Sequence, residues 1–234
     1  MFGASGGVGR ALCEALAHRE DVAVVHAGAR NVESVERRPR VEPFAFDLKQ
    51  EQSIEAAAER IGEHGPLDLV IVATGVLQTD AYGPEKSWSA IDPVAMAEVF
   101  AINTIGPAVI GKHFIPLLRR EGRPVFAALA ARVGSIGDNG LGGWHSYRAS
   151  KAALVMIVRN FALELGRRNR GAIAVTLHPG TVDTALSEPF QSSVPEGKLF
   201  TPAYSAERLL SVIDGLEGKD SGHQFAWDGE RIPY

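Results

Sequence analysis

The chain has 234 residues, 45% of them apolar, and a net charge of −4. That is enough chain for a sizeable core, and the balance gives no general attraction to nucleic acid or to an anionic membrane. The single cysteine, Cys13, has no internal disulfide partner, no run reaches the ~18 apolar residues of a membrane span, and no basic-plus-apolar leader opens the chain. The expectation is a soluble cytoplasmic protein. Without a composition break, repeat or low-complexity tract, residues 1–234 read as one domain.

The chain opens Met1-Phe2-Gly3-Ala4-Ser5-Gly6-Gly7-Val8-Gly9 and continues with apolar residues at helical spacing. A glycine-rich turn feeding a helix N-terminus offers backbone N–H groups and a positive dipole end to a phosphate. Gly3, Ser5, Gly6, Gly7, Val8 and Gly9 are therefore candidate phosphate-loop residues. Their spacing is Gly-x3-Gly-x-Gly rather than Gly-x-Gly-x-x-Gly. Such a loop follows a buried strand, yet only Met1 and Phe2 precede Gly3. The first strand is expected to be truncated.

A buried strand is expected over 21–30, ending at Arg30. At that edge an acidic side chain suits the ribose hydroxyl of NAD, whereas an arginine accommodates the 2′-phosphate of NADP. NADP(H) is the cofactor favoured. The neighbouring Arg37, Arg38 and Arg40 read as a solvated turn. The next strand, 41–48, carries Asp47 at its C-terminal edge, where Asp47 and the backbone of Leu48 are placed to hold an adenine ring. A helix over 53–61 and a continuous apolar strand over 67–75, ending Ala73-Thr74-Gly75, complete a rhythm that implies a parallel sheet.

Asp92-Pro93 is a helix start, with Asp92 as cap and Pro93 in the first turn. Inside that helix Pro107 has no N–H for the carbonyl of Asn103, so a kink is expected there, with Asn103 anchoring a water. A fifth strand over 123–129 and a glycine-containing loop lead to a helix beginning near Ser146, on which Tyr147 and Lys151 share one face. A neighbouring ammonium stabilises a phenolate, which makes proton transfer to a carbonyl oxygen feasible. The same spacing in Tyr82-Gly83-Pro84-Glu85-Lys86 cannot be helical. A strand over 172–177 ends in His178-Pro179-Gly180-Thr181-Val182-Asp183-Thr184, where Pro179, Gly180, Val182 and Thr184 are candidate cofactor contacts. Residues 185–202 lack a clear period and read as a substrate lid, and a short strand is expected at 224–227. Trp144, Leu186 and Phe190 are candidates for an apolar pocket. His145 and His178 read as structural, and no metal site is expected.

Five ordered motifs, Gly3-x3-Gly7-x-Gly9, Asp47, Asn103, Tyr147-x3-Lys151 and Pro179-Gly180-x3-Thr184, run along essentially the whole chain. On them the chain resembles the short-chain dehydrogenase/reductase superfamily, and within it the carbonyl reductases similar to the bacterial C-factor protein. The resemblance implies a doubly wound parallel sheet in a Rossmann-type three-layer α/β/α sandwich. It also implies that Tyr147 is the catalytic acid/base, that Lys151 binds the nicotinamide ribose and lowers the tyrosine pKa, that Asn103 holds a relay water, and that the protein forms homodimers or homotetramers. Two departures stand out. The family's Asn-Asn-Ala-Gly is Val72-Ala73-Thr74-Gly75 here. The family's catalytic serine falls by spacing at Gly134, with Ser135 one residue off and Ala130 and Ala131 at the strand end. Ser135 is the slightly favoured candidate.

The resulting expectation is an NADP(H)-dependent carbonyl reductase or alcohol dehydrogenase, with Tyr147, Lys151, Asn103 and Ser135 in the catalytic set. The alternative is a cofactor-binding sensor or signalling protein on the same fold, motivated by the alanines at 130 and 131.

Overall fold

The computed structural model describes residues 1–234, the side chain of Ser193 excepted. Its strands are β1 (Val25–Ala29), β2 (Val41–Ala45), β3 (Leu69–Val72), β4 (Val125–Leu129), β5 (Ile173–His178), β6 (Thr181–Val182), β7 (Leu199–Phe200), β8 (Gln224–Ala226) and β9 (Arg231–Ile232). The α-helices are α1 (Gly7–Ala17), α2 (Glu51–Gly62), α3 (Pro93–Phe100), α4 (Gly106–Phe114), α5 (His145–Arg168) and α6 (Pro202–Gly215). β3-β4-β5-β8-β9 form one ladder and β1-β2 another. All these pairings are parallel except β8–β9.

The expected first strand is reduced to a single bridging residue. Phe2 bridges Gly28 of β1 on one side and Val72 of β3 on the other. Its N–H donates to the Ile71 carbonyl at 2.8 Å, its carbonyl accepts from Ala73 at 2.9 Å, and Gly28 donates to Met1 at 2.7 Å. The Phe2 ring meets Phe44, Phe46 and Phe114 edge-on at 4.7–5.4 Å. The two ladders are thus joined across Phe2, giving the order β2-β1-Phe2-β3-β4-β5-β8-β9.

Alternation along the buried strands builds a core on each face. Val125, Ala127 and Leu129 of β4, with Ile173, Val175 and Leu177 of β5, pack toward Leu12 and Leu16 of α1 and Leu209 and Ile213 of α6. Phe126 and Ala128 point the other way, toward Ile54 of α2, Ile110 of α4 and Leu154 and Val158 of α5. A strand covered on both faces must be apolar at every position, which is why β3 and β4 read as continuous runs. Helix α6, which packs beside α1, was not anticipated from the sequence. Together these elements form the Rossmann-like α/β sandwich expected.

The expected kink at Pro107 takes another form: Ala101–Ile105 is a π-helical turn joining α3 to α4. Pro107 has no N–H to give to Asn103, and the ladder adjusts by widening. Counted through this turn, Pro93–Leu117 is one helix of 25 residues with an 18-residue window of mean hydropathy 1.5. That corrects the expectation that no stretch is apolar enough to span a membrane. Here the helix lies between α2 and α5 against the sheet, with Ile110 and Phe114 in the core. The basic turn is structural: Arg38 pairs with Glu14 at 2.7 Å and Glu36 at 2.8 Å, and Arg40 donates to the Arg19 carbonyl at 2.8 Å.

Candidate active site

The candidate residues converge beyond the C-terminal ends of β1, β3, β4 and β5, where ligands of open α/β sheets bind. The glycine loop is fitted to its neighbours by its lack of side chains. A Cβ on Gly9 would lie 2.1 Å from the Gly3 oxygen, and one on Gly7 would lie 2.5 Å from Thr184 Cγ2. Gly3 has φ +87° and abuts the Ala73 carbonyl carbon. The loop and the 179–184 turn therefore meet at Gly7 and Thr184. Helix α1 is preceded by Gly6, and no side chain caps it. Its first N–H groups are available to an anion such as a dinucleotide pyrophosphate. Ser5 is exposed on the loop. This cradle, which side chains would fill, fits a dinucleotide.

Arg30, exposed directly after β1, makes no ion pair among the described residues. Asp47 uses its carboxylate locally, accepting from the Lys49 N–H at 3.0 Å. The Leu48 side chain packs over Gly106, where a Cβ would come within 2.7 Å of it. Thr74 Oγ1 is buried without a hydrogen-bond partner.

Tyr147 and Lys151 come from one turn of α5 and are both buried, at 8% and 3% exposure. Lys151 Nζ lies 5.8 Å from the Tyr147 ring centroid and donates to the Leu129 carbonyl at 2.8 Å. Gly75 lies against both polar partners: a Cβ there would sit 3.4 Å from Lys151 Nζ and 3.5 Å from Asn103 Oδ1. Asn103 is fully buried, and its amide exchanges two hydrogen bonds with the Val76 backbone, each 2.8 Å. It also donates to Ser150 Oγ at 3.1 Å, and Ser150 in turn donates to the Tyr147 carbonyl at 2.8 Å. Tyr147, Lys151 and Asn103 are therefore brought together.

Electrostatically the protein alone differs from the simple tyrosine–ammonium picture. Burial pushes the Tyr147 phenol up to about 12 and the Lys151 ammonium down to about 8. Both shifts are desolvation of the charged form, and the ammonium spends its contact on a carbonyl rather than on the phenol. At neutral pH Tyr147 is a neutral phenol and Lys151 is protonated.

Ser135 is not delivered to this cluster. Its hydroxyl accepts from the Asp138 N–H at 3.1 Å, and it lines a cavity of about 260 Å³ with Ala152, Val155, Met156 and Gln224, on a face of α5 that excludes Tyr147. The residue packed against Tyr147 is Ala131, together with Leu77. Trp144, Val133 and Phe190 complete this apolar wall, with Trp144 6.3 Å from Tyr147 and 4.9 Å from Phe190 between ring centroids. Leu186 is part-exposed and is not in that cluster.

The sequence reading missed Glu85. Helix α5 starts after Trp144, in the left-handed conformation at φ 51°, without a cap of its own. Glu85, 61 residues away, reaches in: its carboxylate accepts from the Ser146 N–H at 3.1 Å and from the Ser146 hydroxyl. Burial alone would raise this carboxyl, but the Ser146 hydrogen bonds hold it below the usual carboxylate range. A negative charge there also suits the positive end of the helix dipole. Arg148 secures the same end, donating to the carbonyls of Gly143 and Val133, each at 3.1 Å. The only signal for Glu85 in the sequence is the missing cap at the start of α5.

Comparison with known proteins agrees with this geometry. The family model for short chain dehydrogenase matches residues 1–194. The chain is 37% identical over 190 residues to 1-hydroxy-2-glutathionyl-2-methyl-3-butene dehydrogenase of Rhodococcus sp. (strain AD45), covering 81% of this chain and 78% of that protein. It is 35% identical over 173 residues to C-signal of Myxococcus xanthus, covering 73% and 94% respectively. Among solved structures, the NADPH-bound carbonyl reductase from chicken fatty liver superposes with a TM-score of 0.86 at 25% identity, covering 100% of this chain and 97% of that one. The protein belongs to the short-chain dehydrogenase/reductase family of oxidoreductases.

Proposed function

We propose that the protein is an NADP(H)-dependent carbonyl reductase in which Tyr147 is the acid/base. The carrying observation is the joint burial of Tyr147 and Lys151, one helical turn apart beside Gly75 and Asn103. Nicotinamide supplies the hydride in this chemistry. The chain supplies the rest. Gly3, Gly6, Gly7, Val8, Gly9 and Thr184 hold the pyrophosphate end, Arg30 the 2′-phosphate, and Asp47 and Leu48 the adenine side. Ala73, Thr74, Gly75, Pro179, Gly180 and Val182 line the nicotinamide side. Lys151 orients the nicotinamide ribose and Asn103 anchors the proton-relay water. NADPH-bound and NADP-bound family structures support that cofactor choice.

The raised phenol favours reduction. A neutral Tyr147 can hand its proton to an alkoxide, which is far more basic than a phenolate. The wall of Leu77, Trp144, Val133 and Phe190 excludes water and suits an apolar, aromatic-bearing carbonyl compound. Residues 185–202 act as a lid through Phe190 on a single domain. Exposed Ile105, Met156 and Leu163 on the helices carrying Asn103 and Tyr147 suit a homodimer or homotetramer in the cytoplasm.

A second reading, cofactor binding without turnover, is favoured by Ala131, a side chain with no hydrogen-bond donor, packed in one cluster with Tyr147. Measuring NADPH oxidation across a panel of aldehydes and ketones separates the two. Turnover that is lost in Tyr147→Phe supports the reductase, whereas tight NADPH binding with no turnover on any substrate selects the binding-only reading.

A further inference from the structure

Three side chains with metal-binding chemistry meet at the end of the β1–β2 ladder away from the cleft. His26 and Glu42 are partners in the parallel register, second residue against second residue, and His26 Nδ1 lies 3.3 Å from Glu42 Oε2. The sheet therefore fixes this imidazole and carboxylate side by side. His64, in the turn after α2, lays its ring on His26, with centroids 5.3 Å apart and planes 19° from parallel. One ligand atom from each of the three residues lies within 4.8 Å of the other two. A simple ion pair accounts for His26 and Glu42 but not for the third donor.

We infer that His26, Glu42 and His64 form a binding site for a divalent transition-metal ion of the zinc class. Two imidazoles and one carboxylate are a zinc-type donor set that leaves a fourth position for water. Metal–nitrogen bonds of about 2.0–2.1 Å require the donors to close by roughly 1 Å. The exposed His64 can provide that movement by side-chain rotation, because only its position at the end of α2 is fixed. Hard cations such as Mg²⁺ prefer oxygen donors and are excluded by the same set. Arg60 and the Met1 amine also face His26, and their charge opposes a cation, so affinity is moderate. The site lies at the N-terminal end of β1, whereas Arg30 and the cleft lie beyond its C-terminal end. A bound ion would clamp α2 to the two-stranded edge without entering the cleft.

The test uses tag-free full-length protein with ZnCl₂ or CoCl₂. One equivalent of Zn²⁺ by equilibrium dialysis, a Tm raised by at least about 2 °C, and visible Co²⁺ bands are expected. His64→Gln and Glu42→Gln each weaken Zn²⁺ binding on the order of tenfold or more, while Mg²⁺ leaves Tm unchanged. Absence of stoichiometric Zn²⁺ binding in the wild type, or undiminished binding in both variants, overturns the assignment. His64 is exposed and outside the core, so loss of binding in that variant is not loss of fold.

Discussion

The two flanks of Tyr147 are built to opposite rules. On the Lys151–Asn103 side the polar groups of three side chains are tied: the amide to Val76, Ser150 to the Tyr147 carbonyl, the ammonium to Leu129. On the Ala131 side Tyr147 belongs to an apolar cluster with Leu77 and Ala131, against which Val133, Trp144 and Phe190 pack. Orientation is thus supplied by a hydrogen-bonded lattice, and water exclusion by a greasy wall. The contrast locates rigidity on one side and, in the reduction proposed above, leaves polarisation of a carbonyl to Tyr147 itself.

The most severe way to break this contrast is Tyr147→Phe. It should lower kcat about 10²–10⁴-fold with intact NADPH binding, and an unchanged rate would remove the phenol from the chemistry. Ala131→Ser sharpens it from the apolar side. A hydroxyl there adds a donor of the kind whose loss elsewhere costs ~10²–10³ in rate, so kcat on a ketone should rise; no gain would mean that the donor position lies elsewhere.

Lys151→Met tests the polar side through stability. The buried ammonium titrates at about 8 against an ordinary 10.5. Between those values the unfolded chain holds more protons than the folded one, so wild-type unfolding free energy should climb with pH by up to about 3 kcal/mol. The variant should lack that climb in urea titrations from pH 7.5 to 10.5. Glu85→Gln removes the remote charge from the start of α5 and should cost about 1–3 kcal/mol in the same measurement at pH 7. That loss should shrink as the pH falls and the wild-type carboxylate is protonated. The smallest change expected is Arg30→Ala, weakening NADPH about tenfold and NADH little; equal weakening of both would leave the 2′-phosphate without its partner.

Much of this was legible in the sequence because it is local. Apolar runs over 67–75 and 123–129 mark strands covered on both faces, and Asp92 with Pro93 marks a helix start that the structure confirms through a 2.8 Å bond from the Ala95 N–H. Tyr147 and Lys151 share a face because four residues make about one turn. What escaped depends on direction or on distance along the chain. Counting residues back from Tyr147 pointed near Ser135, but the loop after β4 turns that hydroxyl to another face of α5 and leaves Ala131 beside the phenol. Glu85 and Ser146, or His26 and His64, are neighbours only after folding. The stub Met1-Phe2, expected to be a truncated first strand, places its backbone and ring in the seam between the two ladders.

The π turn at Ala101–Ile105 has a consequence for tolerance to length change. An α-helix advances about 100° per residue, so the residue accommodated there sets the phase between Asn103 and the apolar stripe of α4. Removing the exposed Ile105 would let the backbone settle into a uniform spiral, with α4 held in place by Ile110 and Phe114 and with α3 and Asn103 swivelled against it. A shortening that makes the spiral more regular would aim the buried amide away from Lys151: here irregularity is the working geometry.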